Sequence, residues 1–76
     1  MSRREIDCRD QPCPRPIIEL AKAIGDVPVG EELAVVARDP AAQYDVPAWC
    51  RMRGQEYVGA EVTEAGDPRY VVRRVT

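Results

Sequence analysis

An apolar stripe at helical spacing lies between two strand-like segments, and this order most constrains the fold. The stripe has four residues at positions i, i+3, i+4 and i+7: Ile17, Leu20, Ala21 and Ile24. It predicts a helix that ends at Gly25. A short strand over residues 4–8 precedes the helix, and a continuous apolar run over residues 33–37 follows it. This order predicts a parallel strand–helix–strand unit with a right-handed crossover.

A second helix is predicted in the middle of the chain. Asp39 is a residue type that caps helices, and Pro40 after it suits the first helical position. Pro47 lies inside the helical pattern, which predicts a kink or a 3₁₀ turn at that point. Gly54 is expected to end the helix.

Two alternating segments near the end of the chain predict a hairpin. Residues 58–62 alternate, and the turn at residues 65–68 leads into a second strand over residues 70–75. The complete order is βαβαββ. It predicts an α+β fold, a two-layer α/β sandwich in which a mixed four-stranded sheet carries both helices on one face. The length leaves room for one core, so residues 1–76 are expected to form a single domain.

Composition excludes several classes of function. Apolar residues make up 45% and charged residues 32% of the chain, which is typical of soluble globular proteins. The net charge of −2 argues against nucleic acid as the main partner. No segment is apolar enough to cross a membrane, and a cytoplasmic location is expected. Three cysteines without any histidine favour neither a disulfide scaffold, nor a zinc site, nor a Cys–His hydrolase, and no metal or cofactor is expected.

Cys13 is the candidate functional residue, because prolines surround it directly before the first helix. Pro14 suits the first helical position, which puts Cys13 at or beside the N-cap, where the helix dipole favours a thiolate. Pro16 stiffens the first turn. Arg9 and Arg15 add positive charge and predict a basic surface around the cysteine. The pattern indicates an exposed thiol of low pKa, whereas a buried structural cysteine would need neither the prolines nor the arginines.

The other two cysteines have simpler interpretations. Cys8 lies on the same pleat face as Ile6, which favours a small, semi-buried core residue. The alternative is a second thiol that resolves a persulfide on Cys13 or forms a disulfide with it. Cys50, beside Trp49 on the apolar face of the second helix, is expected to pack in the core, as is the tryptophan.

Several of these residues together resemble the TusA/SirA family of small sulfur-carrier proteins. The resemblance rests on the following residues and segments: Asp7, Arg9, Cys13-Pro14-Arg15-Pro16, Asp39-Pro40 and the segment 45–50. It implies that the motif cysteine, Cys13, carries sulfur as a persulfide. It also implies that Pro14 and Pro16 are the motif prolines, and that Asp7 and Arg9 belong to the loop before the cysteine.

The resemblance further implies a place in a relay between proteins. Members of this family accept sulfur from a cysteine desulfurase or a rhodanese-like protein and pass it to an acceptor protein, so nucleic acid is reached only indirectly, through thiolation. Two positions depart from the family pattern. Asp10 stands where glycine is usual, and aspartate tolerates positive φ less well. Gln55 stands near a position that is often histidine.

Three functions are compatible with the sequence. The first is a sulfurtransferase-type carrier with a covalent persulfide intermediate, which is not a catalyst in its own right. The second is a thiol–disulfide redox or sensor protein that uses Cys8 and Cys13, although a C-x-x-C motif is absent. The third is a small module that binds RNA or a regulatory partner, which the negative net charge disfavours.

Overall fold

A computed structural model describes residues 3–10 and 15–76 of the protein. The helices and strands follow one another as β1 (Arg4–Asp7), α1 (Arg15–Ala23), β2 (Glu32–Val36), α2 (Ala42–Arg53), β3 (Glu56–Val62) and β4 (Pro68–Arg73), with a 3₁₀ turn (Ile24–Asp26) after α1. This order confirms the predicted βαβαββ arrangement and the α+β class.

The four strands form one mixed sheet in the order β1-β2-β4-β3. β1 pairs with β2 in parallel, with Ile6 opposite Val35. β2 and β3 both pair with β4 in antiparallel fashion, and Tyr70 of β4 lies opposite Val35. β2 and β4 are therefore the central strands. Their position explains why the sequence of β2 is continuously apolar, since a central strand buries side chains on both faces.

Both helices contribute to a core on one face of the sheet. Its largest members are Leu20 of α1, Val46 and Trp49 of α2, and Leu33, Val35, Tyr70 and Val72 of the central strands. All of these side chains are at most 5% exposed. The core confirms the predicted two-layer arrangement. Within residues 3–10 and 15–76, no helix has the length and apolar character needed to cross a bilayer.

The opposite face of the sheet carries a row of side chains of alternating charge. In spatial order these are Glu56, Arg73, Glu32, Arg3, Glu61, Arg69 and Glu5, and the ion pairs between neighbours are 2.8 to 3.6 Å long. Ala34 and Val71 lie in the middle of this face, yet they are only 0% and 1% exposed. The aliphatic parts of long charged side chains can cover apolar surface in this way while their charged ends stay in water.

The end of α1 differs from the prediction. The helix ends at Ala23 rather than at Gly25, and the chain continues as the 3₁₀ turn. Gly25 lies inside that turn and does not have a positive φ. The Val27 N–H donates to the Ile24 carbonyl at 3.2 Å. A tightened last turn satisfies terminal carbonyls through i→i+3 bonds, so no left-handed glycine is required here.

The start of α2 also differs from the prediction, whereas its end confirms it. The helix begins at Ala42, and Asp39 caps the turn before it, where its carboxylate accepts a hydrogen bond from the Ala41 N–H at 2.9 Å. α2 continues as α-helix through Pro47, so no 3₁₀ turn lies at that residue, and a turn at residues 40–41 precedes the helix. Gly54 ends the helix in the left-handed region with a φ of 72°.

The β3–β4 hairpin is confirmed, but the alternating residues of β3 stay outside the core, because β3 is an edge strand. Val58 and Val62 are 44% and 72% exposed, whereas Tyr57 packs against the core. The pairing register shifts between Tyr57 and Gly59, and Gly59 has a φ of 150°. The bulge leaves Val58 without a partner in the register, whereas Val62 pairs with Pro68 at the end of the edge strand.

Candidate functional site

One edge of the sheet brings together several chain segments, and we call it the loop edge. Because β1 and β2 are parallel, their carboxyl ends meet there, with Asp7 opposite Val36. α1 and α2 each begin after one of these strands, so both helix N-termini lie at the same edge. β4 begins opposite the end of β2, which adds the turn between β3 and β4, residues 63–67. The loop edge therefore holds the positive ends of two helix dipoles.

The structure places the supporting residues predicted from the sequence at this edge. Asp7 is the last residue of β1, and Arg9 follows it closely. Arg15 is the first residue of α1, and Pro16, next to it, is fully buried. The candidate cysteine, Cys13, and its neighbour Pro14 lie outside the described residues.

Asp7 and Arg9 form a compact local pair. The Arg9 guanidinium donates two hydrogen bonds to the Asp7 carboxylate, from Nε at 2.9 Å and from Nη2 at 2.8 Å. The Arg9 backbone N–H donates a third at 3.1 Å. These bonds hold the pKa of the Asp7 carboxyl below its ordinary value. The pair links the last residue of β1 to the residue two positions after it.

The charge at the loop edge differs from the predicted excess of positive charge. Arg15 pairs with Glu19 one helical turn away at 3.2 Å. Among the described residues, five ion pairs link three arginines to four carboxylates: Arg9, Arg15, Arg38, Asp7, Asp10, Glu19 and Asp67. Carboxylates therefore largely neutralise the arginines that the sequence suggested as a source of positive charge. The sequence alone does not show that these carboxylates lie beside the arginines.

Sequence analysis missed Arg38 and Asp67, which meet at this edge. The Asp67 side chain is 11% exposed and accepts hydrogen bonds from Arg38 Nε at 2.8 Å and Arg38 Nη2 at 3.4 Å. Arg9 Nη1 lies 3.7 Å from the same carboxylate. Arg38, with a smaller contribution from Arg9, holds the pKa of the Asp67 carboxyl below its ordinary value. Arg38 also lies 3.8 Å from Asp10.

Backbone hydrogen bonds explain why these distant residues meet. The Cys8 N–H donates to the Val36 carbonyl at 2.8 Å, which aligns the segment after β1 with the end of β2. The Ala37 N–H donates to the Pro68 carbonyl at 3.2 Å, which brings Arg38 beside the start of β4. No local sequence signal reports this pairing. The Gly-Asp-Pro sequence at residues 66–68 indicates only a turn.

Cys8 and Cys50 are buried free thiols. Each is 1% exposed and belongs to the core. Burial raises the pKa of the Cys8 thiol, and it raises the pKa of Cys50 to about 11. Both thiols are therefore protonated at neutral pH and shielded from large reagents.

The burial of these two cysteines leads to a labelling prediction. At neutral pH we expect the native chain to be alkylated at one of its three cysteines, Cys13, and at all three once it is denatured. The reagent reacts with thiolates, which the buried cysteines do not supply. Mass spectrometry of peptides after a short pulse of iodoacetamide measures the sites. Native labelling of Cys8 or Cys50 as fast as that of Cys13 would contradict this prediction.

The lowered carboxyl pKa values lead to a prediction about acid stability. Asp7 and Asp67 have pKa values below the ordinary 3.8, so the folded chain binds protons less readily than the unfolded chain. Their stabilising contribution is complete above about pH 4 and is lost as the pH falls through the lowered folded values. Urea unfolding midpoints between pH 6 and pH 2 measure this loss. We expect Asp67→Asn to show a shallower acid loss than the parent, and equal acid losses would contradict the prediction.

Trp49 lies in the core, as predicted, and is 4% exposed. Its indole Nε1 has no hydrogen-bond partner among the described residues. An open groove beside it, between the two helices, is lined by Ile17, Asp45, Ala48, Trp49 and Met52.

No group of three or more histidine, cysteine or acidic side chains is arranged to hold a metal ion within the part of the chain that the structure describes. The carboxylates of the loop edge are instead engaged by arginines. Asp67, for example, contacts both Arg38 and Arg9.

Comparisons with known proteins match the whole folded region. The family described as Sulfurtransferase TusA matches residues 4–74. A protein of Archaeoglobus fulgidus is 39% identical over 72 residues, which cover 95% of this chain and 94% of that protein. The protein named sulfur carrier protein TusA from Pseudomonas syringae is 37% identical over 70 residues, which cover 92% of this chain and 82% of that protein. The chain therefore belongs to the TusA family, as the residues of its motif indicated.

Proposed function

We propose that this protein is a sulfur carrier that holds sulfur as a persulfide on Cys13. In this proposal it receives sulfur from a donor protein, a cysteine desulfurase or a rhodanese-like protein, and passes it to an acceptor protein. The observation that carries the proposal is the Cys13-Pro14-Arg15-Pro16 motif, whose Arg15 and Pro16 begin α1, in a chain that matches the TusA family over residues 4–74. Relatives named as sulfur carriers support it.

Chain connectivity ties Cys13 to the loop edge. It precedes Arg15, the first residue of α1, by two positions, so their Cα atoms are at most about 8 Å apart. The N-terminus of α1 carries a partial positive charge that favours a thiolate or a persulfide anion nearby. Arg15 is half exposed and shares its charge with Glu19, so the added stabilisation is moderate. Moderate stabilisation suits a carrier, because the sulfur must leave again.

The proposed loading step needs no oxidant or reductant. The Cys13 thiolate attacks the terminal sulfur of a persulfide on the donor's cysteine. A bond forms between Cys13 Sγ and that sulfur, the donor's own sulfur–sulfur bond breaks, and the donor cysteine leaves as a thiolate. Release to the acceptor repeats the step in the opposite sense, with Cys13 as the leaving thiolate. Neither step requires a general base, which agrees with a chain that has no histidine.

The geometry disfavours a redox pair of Cys8 and Cys13. Cys8 is 1% exposed, and burial raises the pKa of its thiol. A thiol that attacks or resolves needs thiolate character and access, and Cys8 has neither in this conformation. We therefore place the function on Cys13 alone. We place it in the cytoplasm, where thiols are kept reduced.

Intact mass spectrometry tests the proposed function. The reduced chain is incubated with a cysteine desulfurase and cysteine, with a sample without desulfurase as the control. A sulfur carrier gains one sulfur atom, and the gain disappears after reduction. Loss of two hydrogens would instead indicate a disulfide between two cysteines. An unchanged mass, with a desulfurase shown to be active on another acceptor, would contradict the carrier function.

A further inference from the structure

We propose that Asp67 is a positioning residue for sulfur transfer, acting through Arg9 and Arg38 on the segment that leads to Cys13. This inference rests on the proposed carrier function. It assigns a role to the turn between β3 and β4, which is far from Cys13 in the sequence. Asp67 does not itself contact sulfur in this proposal. Instead it fixes the positions of Arg9 and Arg38, which contact the segment that leads to Cys13.

Asp67 is the meeting point of two arginines from different parts of the sheet. Arg38 follows β2 and donates to the Asp67 carboxylate at 2.8 and 3.4 Å. Arg9 follows β1 and places Nη1 3.7 Å from the same carboxylate. One buried anion thus links the two segments that leave the carboxyl ends of the parallel strands.

The turn holds Asp67 in a fixed position. Its backbone N–H donates to Thr63 Oγ1 at 3.1 Å, and its carbonyl accepts from the Thr63 N–H at 2.9 Å. Gly66, with a φ of 89°, donates to the Thr63 carbonyl at 2.9 Å and closes the turn. The Asp67 residue is 8% exposed, so its carboxylate is held by protein groups rather than by bulk water. An anchor fixed in this way limits where the arginines can lie.

The arginines carry this constraint to the segment before Cys13. Arg9 is tied at the same time to Asp7 through two hydrogen bonds, which leaves its guanidinium between Asp7 and Asp67. Arg38 lies between Asp67 and Asp10, and the Asp10 carboxylate is 3.8 Å away. Asp10 precedes Cys13 by three residues. Two contacts therefore hold the described part of this segment, the one between Arg9 and Asp67 and the one between Asp10 and Arg38.

A positioning role and a purely electrostatic role of Asp67 predict opposite effects on the reaction rate of Cys13 when the Asp67 charge is removed. Removal of the negative charge of Asp67 leaves Arg9 and Arg38 less neutralised, and positive charge near a thiol favours the thiolate. Electrostatics alone therefore predicts a lower Cys13 pKa and a faster reaction. Loss of position instead slows transfer between proteins, because transfer needs two sulfur atoms in a defined geometry, and misplacement by about 1 Å can cost as much as 100-fold in rate.

The test compares Asp67→Asn with a matched control in the same turn. Glu64→Gln removes an equal charge from an exposed residue that makes no ion pair or hydrogen bond among the described residues. Two rates are measured for each variant and for the parent: sulfur loading of Cys13 by a cysteine desulfurase, and alkylation of Cys13 by iodoacetamide as a function of pH. Circular dichroism checks that each variant is folded.

We expect Asp67→Asn to load sulfur about tenfold more slowly than the parent. Its alkylation midpoint should be unchanged or lower in pH, and Glu64→Gln should match the parent in both rates. Arg38→Gln should slow loading to a similar degree, and the double variant Asp67→Asn/Arg38→Gln should be no slower than the slower single variant, because both act through one contact. A merely destabilising change would not combine slower loading with an unshifted or lowered alkylation midpoint.

Two results would overturn the inference. One is loading of folded Asp67→Asn within twofold of the parent rate. The other is an equal slowing by Glu64→Gln, which would indicate a general effect of charge. Neither result affects the carrier function, since the parent would still load. Failure of the parent itself to gain sulfur would instead remove the proposed function on which the inference rests.

Discussion

Cys13→Ser should lose sulfur loading completely and keep its fold. A serine hydroxyl cannot accept a sulfane sulfur to form a persulfide, and it is not a nucleophile without an activating base. The two side chains differ by one atom. The described residues that anchor α1 in the core, Leu20 and Ala23, lie further along the helix. We therefore expect unchanged circular dichroism together with an intact mass that shows no added sulfur after incubation with a desulfurase.

The control for this variant is Cys50→Ala, which removes a thiol from the core and leaves Cys13 in place. It should lose some stability, because a buried side chain becomes smaller, yet it should still gain one sulfur atom. Sulfur that appears on the Cys13→Ser chain at Cys8 or Cys50, at the parent's rate, would show that the carrier cysteine has been assigned to the wrong residue.

Leu20→Ala should have the largest effect on the fold. Leu20 is 0% exposed and holds α1 against the sheet. Truncation of a buried leucine costs about 2–5 kcal/mol. A chain of this size has a free energy of unfolding of about 4–11 kcal/mol, at about 0.05–0.15 kcal/mol per residue. We expect a loss of about 3 kcal/mol, measured by urea unfolding, with a large fall in the thermal midpoint.

Ile18→Ala provides a control in the same helix. Ile18 is 42% exposed, so its truncation removes less buried surface and should cost less than about 1 kcal/mol. The difference between the two variants separates core packing from the helix propensity of alanine, which is the same in both. Equal losses of stability would contradict the placement of Leu20 as the residue that packs α1 against the sheet.

The order of elements could be predicted because each one carries its own periodicity. The stripe that contains Ile17 and Leu20 predicts a helix. The apolar run over residues 33–37, which forms most of β2, predicts a central strand. The parallel pairing of β1 and β2 then follows from topology, and it brings the segments after both strands to one edge. The location of the candidate site at this edge of the sheet could therefore be predicted from the sequence.

Details that depend on tertiary contacts were not predictable. Gly25 indicated a helix end, but a 3₁₀ turn satisfies the last carbonyls of α1 instead. Val58 and Val62 alternate like core residues, yet both are exposed, because Val58 lies in a bulge and Val62 ends an edge strand. Periodicity identifies one face of a strand, and only the packing of the other layer decides which face is buried.

The charges of the site show the same limit. Arg9 was recognised as a nearby cation, but nothing local in the sequence shows that Asp67 lies 3.7 Å from its guanidinium. Asp67 meets Arg38 only because β2 pairs with β4. A surface that looks basic in the sequence is thus nearly balanced in three dimensions, and the positioning role proposed for Asp67 could not be found without the structure.

The most direct test of the central claim follows labelled sulfur through Cys13. The chain is loaded by a desulfurase supplied with isotopically labelled cysteine, freed of donor and excess cysteine, and then mixed with a protein that carries an acceptor thiol. Peptide mass spectrometry should first find the label on Cys13, and then find it lost from Cys13 and gained by the acceptor in equal amounts. Label that stays on Cys13, or that leaves only as free sulfide, would contradict the account of this protein as a sulfur carrier.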